Sequence, residues 1–119
     1  MIEDPTLTAA FRALADPTRR ALFQRIVAGG EVTVAALTQG SGVTQGAVSQ
    51  HLKALKGAGL VDERPEGRRV HYRVRPEGLR PVSDWLVTWG RYWSGRVDDL
   101  DRLLRAEAAA GPEPKDDTP

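Results

Sequence analysis

The sequence predicts a mainly α-helical chain with a β-hairpin: five helices, with the hairpin between the fourth and the fifth. Three observations predict it. Stretches before residue 57 place apolar residues at helical spacing, punctuated by capping residues, proline and glycine. Residues 69–75 then switch to alternation, the period of a half-buried strand. Beyond them Val82, Leu86, Trp89, Trp93, Val97, Leu100 and Leu104 follow one another at steps of 4, 3, 4, 4, 3 and 4. That is a seam sustained over about three heptads.

At 119 residues the chain suffices for one domain with a modest core. It has no cysteine, which excludes disulfides, zinc ribbons and thiol-based metal or redox sensing. No apolar run approaches the ~18 residues of a membrane span. The acidic start MIEDPTLTAAF lacks the cationic opening of a signal peptide, so a cytoplasmic location is expected. Net charge is only +1, but it is unevenly spread. Residues 12–80 hold 12 of the 17 basic residues and 6 of the 16 acidic ones, whereas residues 81–119 hold 5 and 8. A cationic middle and an acidic C-terminal third suit a chain that turns one side to a polyanion.

In the first helix Leu7, Ala10, Phe11 and Leu14 fall at helical spacing. Asp16 is a good N-cap for the second, and Pro17 fits its first position because the missing N–H is not needed there. The second helix is expected to reach about Ala28, with Leu22, Phe23, Ile26 and Val27 inward and Gly29-Gly30 ending it. Thr33 caps a short third helix through Thr38, with Val34 and Leu37 inward. Thr44 caps a fourth that runs to about Lys56, where Gly57 and Gly59 stop it. Strands at 60–64 and 69–75 flank the turn Pro65-Glu66-Gly67-Arg68. In the second strand Val70, Tyr72 and Val74 alternate with Arg69, His71, Arg73 and Arg75, giving one buried and one wet, cationic face. The last helix spans about Leu79 to Ala108, with Pro81 in its first turn. The expected organisation is one domain over residues 1–109 and a disordered tail over 110–119, whose run GPEPKDDTP carries no apolar residue beyond its prolines.

This order, two helices joined by a Gly-Ser-Gly turn and followed by a hairpin, is a winged helix-turn-helix, a device for placing a helix in the DNA major groove. On the fourth helix Ala47, Val48, Leu52 and Leu55 form an inward stripe. The opposite arc carries Gln45, Gly46, Ser49, Gln50 and Lys53. Gln45, Gly46, Ser49 and Gln50 are the candidate base readers: glutamine can grip adenine bidentately, and serine adapts to either partner. Thr44, Lys53, Lys56, Arg64, Arg68, Arg69 and Arg73 are candidates for backbone or wing contact. An ordinary amphipathic helix and a solvated hairpin would share these compositions; the combination favours DNA.

The stretches LADPTRRALFQRI, VTVAAL, TQGAVSQHLKALKGAGLV and EGRRVHYRV resemble the ArsR family of small bacterial winged-helix repressors, over about residues 7–104. The resemblance implies a homodimer joined through the first and last helices, a near-palindromic operator, and repression of its own or neighbouring genes. The candidate interface is Leu7, Phe11, Leu86, Trp89, Trp93, Val97, Leu100 and Leu104; the last-helix seam supports a dimer independently of the resemblance. Many relatives sense metal through a Cys-x-Cys pair in the third helix, but the corresponding run from Glu31 to Leu37 has no thiol. The last helix has Asp84, Asp98, Asp99 and Asp101 but no histidine. No metal, cofactor or soft-metal sensing is expected, and the effector is left unnamed.

Some residues keep two readings. Gly46, where many relatives carry a side chain, either lets the backbone approach DNA or loosens the helix start. His51 is packed or hydrogen-bonded, or meets a phosphate; His71 points outward on the wing. Trp85, Trp89, Tyr92 and Trp93 form a dimer core or line an apolar effector pocket. Arg19 and Arg20, which oppose the dipole of the second helix, contact phosphate or pair with Asp16. Asp98 with Arg102 and Asp101 with Arg105 read as helix-stabilising pairs. No nucleophile–base set or glycine-rich phosphate cradle is present, so no enzyme is expected. Against a repressor stand an activator of the same class and a protein-interaction module that has lost specific DNA binding.

Overall fold

The computed structural model describes residues 4–110, with Trp93 described by its backbone alone. Its elements are α1 (Pro5–Ala15), α2 (Pro17–Gly29), β1 (Glu31–Thr33), α3 (Val34–Thr38), α4 (Gln45–Gly57), β2 (Val61–Glu66), β3 (Arg69–Val74), a 3-10 turn (Pro76–Leu79) and α5 (Arg80–Ala110). The tail expected beyond residue 110 lies outside the described residues. The chain divides into two units, residues 1–83 and 84–119.

Capping fixes the starts of α2, α3 and α4 as the sequence predicts. Asp16 Oδ1 accepts Arg19 N–H at 2.9 Å, Thr33 Oγ1 accepts Ala36 N–H at 3.1 Å, and Thr44 Oγ1 accepts Ala47 N–H at 3.1 Å. Each satisfies an amide that has no intrahelical acceptor. α4 ends in a Schellman arrangement: Gly59 N–H donates to Lys56 O at 2.9 Å and Leu60 N–H to Leu55 O at 3.0 Å. Gly59 takes φ 77°, a conformation that only glycine adopts without strain.

The wing is a three-stranded antiparallel sheet in the order β1-β3-β2, not a lone hairpin. β1 pairs Val32 with Tyr72, and β2 pairs Val61 with Val74 and Glu66 with Arg69. The expected turn at Pro65–Arg68 is tighter than read: β2 continues through Pro65 and Glu66, leaving Gly67 and Arg68 as the two loop residues. β2 is an edge strand, so the missing amide of Pro65 can face solvent without breaking the ladder.

The core gathers Ala10, Ala13, Leu22, Phe23, Ile26, Leu37, Val48, Leu52, Leu55, Leu60, Val61 and Tyr72. Val32, Val70 and Val74 pack on it from the sheet, Leu79 from the 3-10 turn and Val82 from the start of α5. Val27 was expected inward but is 56% exposed. It sits in the last turn of α2, about 100° round from the fully buried Ile26.

One close approach pins the entry to α5. A Cβ added at Gly78 would lie 1.9 Å from Gly59 O and 2.8 Å from Gly59 C. The obstacle is backbone, which cannot swing aside as a side chain can. Gly78→Ala is therefore expected to lower stability by roughly 1–3 kcal/mol. Urea unfolding measures this; a loss below about 0.5 kcal/mol would show that the contact yields freely.

The second unit holds α5 from Asp84 onward. Arg105 Nε meets Asp101 Oδ2 at 3.0 Å, as the spacing predicts; Arg102 Nη2 meets Asp99 at 3.6 Å rather than Asp98. Trp89 and Tyr92 meet edge to face with ring centroids 5.9 Å apart, and the Arg96 guanidinium lies 4.1 Å from the Tyr92 ring centre.

Candidate nucleic-acid interface

The helix-turn-helix is α3, the turn at residues 39–44, and α4. In the turn Ser41 Oγ donates to Thr38 O at 2.8 Å and accepts Val43 N–H at 3.2 Å. The apolar stripe of α4 is seated in the core: Val48, Leu52 and Leu55 are fully buried. That seating turns the other arc outward. Gln45, Gly46, Gln50 and Lys53 are exposed, and Ser49 is half-buried. A Cβ at Gly46 would find only Thr44 Oγ1, at 3.9 Å. No intramolecular contact demands glycine there.

Gln45 and Ser49 line a groove of about 520 Å³ together with Thr33, Gln39, Arg68 and Arg69. The start of the recognition helix and the tip of the wing thus open onto one concave, cationic surface. Gln39, the C-cap of α3, was not among the residues singled out from sequence. A lone glutamine in a turn carries no pattern that marks it.

The basic residues fall into two groups. Lys53, Arg68 and Arg69 are exposed and have no ion pair among the described residues. Lys56, Arg64 and Arg73 have carboxylate neighbours. Lys56 pairs with Glu63 across α4 and β2. Arg64 makes two 2.9 Å hydrogen bonds to Glu31 and a third, at 3.3 Å, to Glu66. Arg73 Nη1 lies 4.0 Å from the same Glu31. The Arg64 fork holds the Glu31 carboxyl below the usual carboxylate range, and the charges of His71 and Arg73 add to it. The wet face of the wing is real, but carboxylates share it. His71, expected to point outward, keeps only 19% of its side chain exposed, with Nε2 3.1 Å from Glu66 Oε2.

The two arginines at the start of α2 part company. Arg20 Nη1 donates to Leu14 O at 2.9 Å and so closes the end of α1. Arg19 carries a buried Nε with no hydrogen-bond partner. Asp16 is held below its ordinary range first by the Arg19 amide, with the His51 charge contributing. His51 is half-buried.

No group of three or more His, Cys, Asp or Glu side chains that could hold a metal ion occurs among the described residues, and no described helix is long and apolar enough to cross a membrane.

Residues 14–64 match the family model of a helix-turn-helix domain. The HTH-type transcriptional regulator Rv2034 of Mycobacterium tuberculosis is 41% identical over 98 residues, covering 82% of this chain and 88% of that one. The arsenical resistance operon repressor of Escherichia coli is 36% identical over 66 residues, covering 56% of each. Among solved structures, the crystal structure of an ArsR family transcriptional regulator has a TM-score of 0.68 at 29% identity, over 79% of this chain and 97% of that one. The homodimeric winged helix-turn-helix DNA-binding domain of a Mycobacterium bovis protein has a TM-score of 0.58 at 28% identity, over 74% and 87%.

Fold, open recognition face and relatives together define a helix-turn-helix transcriptional regulator, not an enzyme. The chain belongs to the ArsR family of these regulators.

Proposed function

We propose that the chain is a cytoplasmic, homodimeric repressor that binds a near-palindromic operator in double-stranded DNA. The observation that carries this is the groove in which Gln45 and Ser49 of α4 open beside Arg68 and Arg69 of the wing. A repressing role is supported by the relative named as an operon repressor. Gln45, Ser49 and Gln50 read base edges, and Gly46 lets the helix backbone come close. Thr44, Lys53, Arg68 and Arg69 hold phosphate or the minor groove. Lys56, Arg64 and Arg73 join them by exchanging carboxylates for phosphates.

Dimerisation uses the seam of α5 with Leu7 and Phe11 of α1. In the single chain Leu86, Trp89, Val97, Leu100 and Leu104 are 43–55% exposed, and Phe11 43%. Trp93 shares their register. A stripe of that size left in water favours a second copy. The homodimeric Mycobacterium bovis relative supports a dimer. Two-fold symmetry then presents two recognition helices to successive major grooves, about 34 Å apart.

Reading and holding make different predictions. Gln50→Ala is expected to cost ~1–3 kcal/mol at the preferred site and to relax sequence preference. Arg68→Ala is expected to weaken all duplexes alike and to lower the salt slope by about 1. Gel shifts on the DNA upstream of the protein's own gene, against random duplex, measure both. A wild-type protein that treats the two duplexes equally would refute sequence-specific binding. A reporter on that upstream DNA should rise when the gene is deleted; a fall would make the protein an activator.

A further inference from the structure

α3 has only five residues, so its carbonyls depend on donors from elsewhere. The Thr38 hydroxyl donates to Val34 O at 2.8 Å, and Gln39 N–H donates to Ala35 O at 3.3 Å. Ser41 donates to Thr38 O through its hydroxyl at 2.8 Å and its amide at 3.1 Å. The two carbonyls between them are both taken by Arg25 of α2: Nη2 lies 2.7 Å from Ala36 O and Nη1 2.6 Å from Leu37 O. Of these donors Arg25 alone comes from outside the helix-turn-helix. The same α2 contributes Leu22 and Ile26 to the core that holds Val48, Leu52 and Leu55 of α4. One helix therefore holds both halves of the motif, α4 by an apolar face and α3 by a guanidinium fork.

We propose that Arg25 is a positioning residue for DNA reading. Its fork sets α3 against α4, and so sets how Gln45, Ser49 and Gln50 meet base edges, without touching DNA itself. The inference rests on the proposed reading of the chain as a sequence-specific DNA-binding protein. Both terminal nitrogens of Arg25 are committed to backbone carbonyls, so the fork is not offered to phosphate. Small errors in such support move a recognition surface out of register without unfolding it. A lysine supplies the charge and a point donor but not the planar pair.

The full chain is used to select a duplex from a random-sequence library, and a random duplex of equal length is the comparison. Arg25→Met removes charge and fork; Arg25→Lys removes the fork and keeps the charge. Both variants are expected to bind the selected duplex about tenfold more weakly, or worse, which is roughly 1.4 kcal/mol. Random-duplex affinity should stay within about twofold, the salt slope should be unchanged, and circular dichroism should match wild type. Wild-type behaviour in both variants overturns the proposal. So does recovery by lysine with a slope lowered by about 1 for methionine, which would make Arg25 a phosphate contact. Loss of helical signal in both variants also overturns it, since Arg25 would then hold the fold and not the reading angle. Failure of wild type to enrich any duplex is separate: it removes the DNA-reading function, and the inference with it.

Discussion

Leu100→Glu is expected to leave the chain monomeric and to weaken its DNA binding by about two to four orders of magnitude. The effect follows from where Leu100 lies. It lies toward the C-terminal end of the α5 seam and is 55% exposed in the single chain, with the seam residues Val97 and Leu104 one turn away on either side. In a two-fold dimer a seam residue meets its own symmetry mate or near neighbours. A glutamate there brings two like charges together in a site from which water is excluded, a cost that no local contact offsets. The helix itself should survive. Its exposed pairs, Asp99 with Arg102 and Asp101 with Arg105, are untouched and favour the helical state. The variant thus separates folding from association. DNA affinity falls because a dimer binds its second half-site as an intramolecular event, and a monomer cannot. Sedimentation velocity and gel shift measure the two parts. A variant still dimeric at micromolar concentration would remove α5 from the interface. A monomer that kept full affinity would remove the need for two half-sites.

What the sequence made legible was what is decided locally. The caps at Asp16, Thr33 and Thr44 each act on an amide three residues on, so composition and spacing reveal them. The Gly59 stop is equally local. The outward arc of α4 was legible because Val48, Leu52 and Leu55 leave only one way to seat the helix. What stayed hidden depends on partners far along the chain. β1 is three residues long, and Val32 finds its partner in Tyr72. No periodicity can declare so short a strand. Alternation in β3 placed His71 and Arg73 on one wet face, but could not show that Glu31, 33 residues from Arg64, reaches across to neutralise it. Nor could spacing reveal the Arg25 fork, because an arginine on a polar helix face is unremarkable until the carbonyls it meets are placed.

Carboxylates on the wing change how its charge is to be understood. A count of basic residues treats Lys56, Arg64 and Arg73 as equal to Lys53, Arg68 and Arg69. The structure gives the first three acidic neighbours, so the positive field is carried mainly by the wing tip and the recognition helix. That concentrates attraction on the groove shared by Gln45, Ser49, Arg68 and Arg69, the surface proposed above to read sequence.

The recognition arc can present itself only if the helix beneath it is fixed, and Leu52→Ala tests that support. Leu52 is fully buried between Val48 and Leu55 on the inner stripe of α4. Truncation to alanine loses the transfer free energy of the removed carbons and leaves a cavity, since neighbours in a close-packed core relax only partly. The expected loss is about 2–5 kcal/mol. Against a typical total of roughly 5–15 kcal/mol for a domain, that is a large fraction. Urea unfolding at fixed protein concentration should show a lower midpoint with little change in slope; holding concentration matters because association adds to the apparent stability of a dimer. The outer residues Gln45, Ser49 and Gln50 are unaltered, so sequence preference should survive wherever the variant is folded. A loss below about 1 kcal/mol would mean that the core does not close tightly on α4. A folded variant that bound DNA but no longer distinguished its site would place the control of reading in the buried stripe, and not in the exposed arc alone.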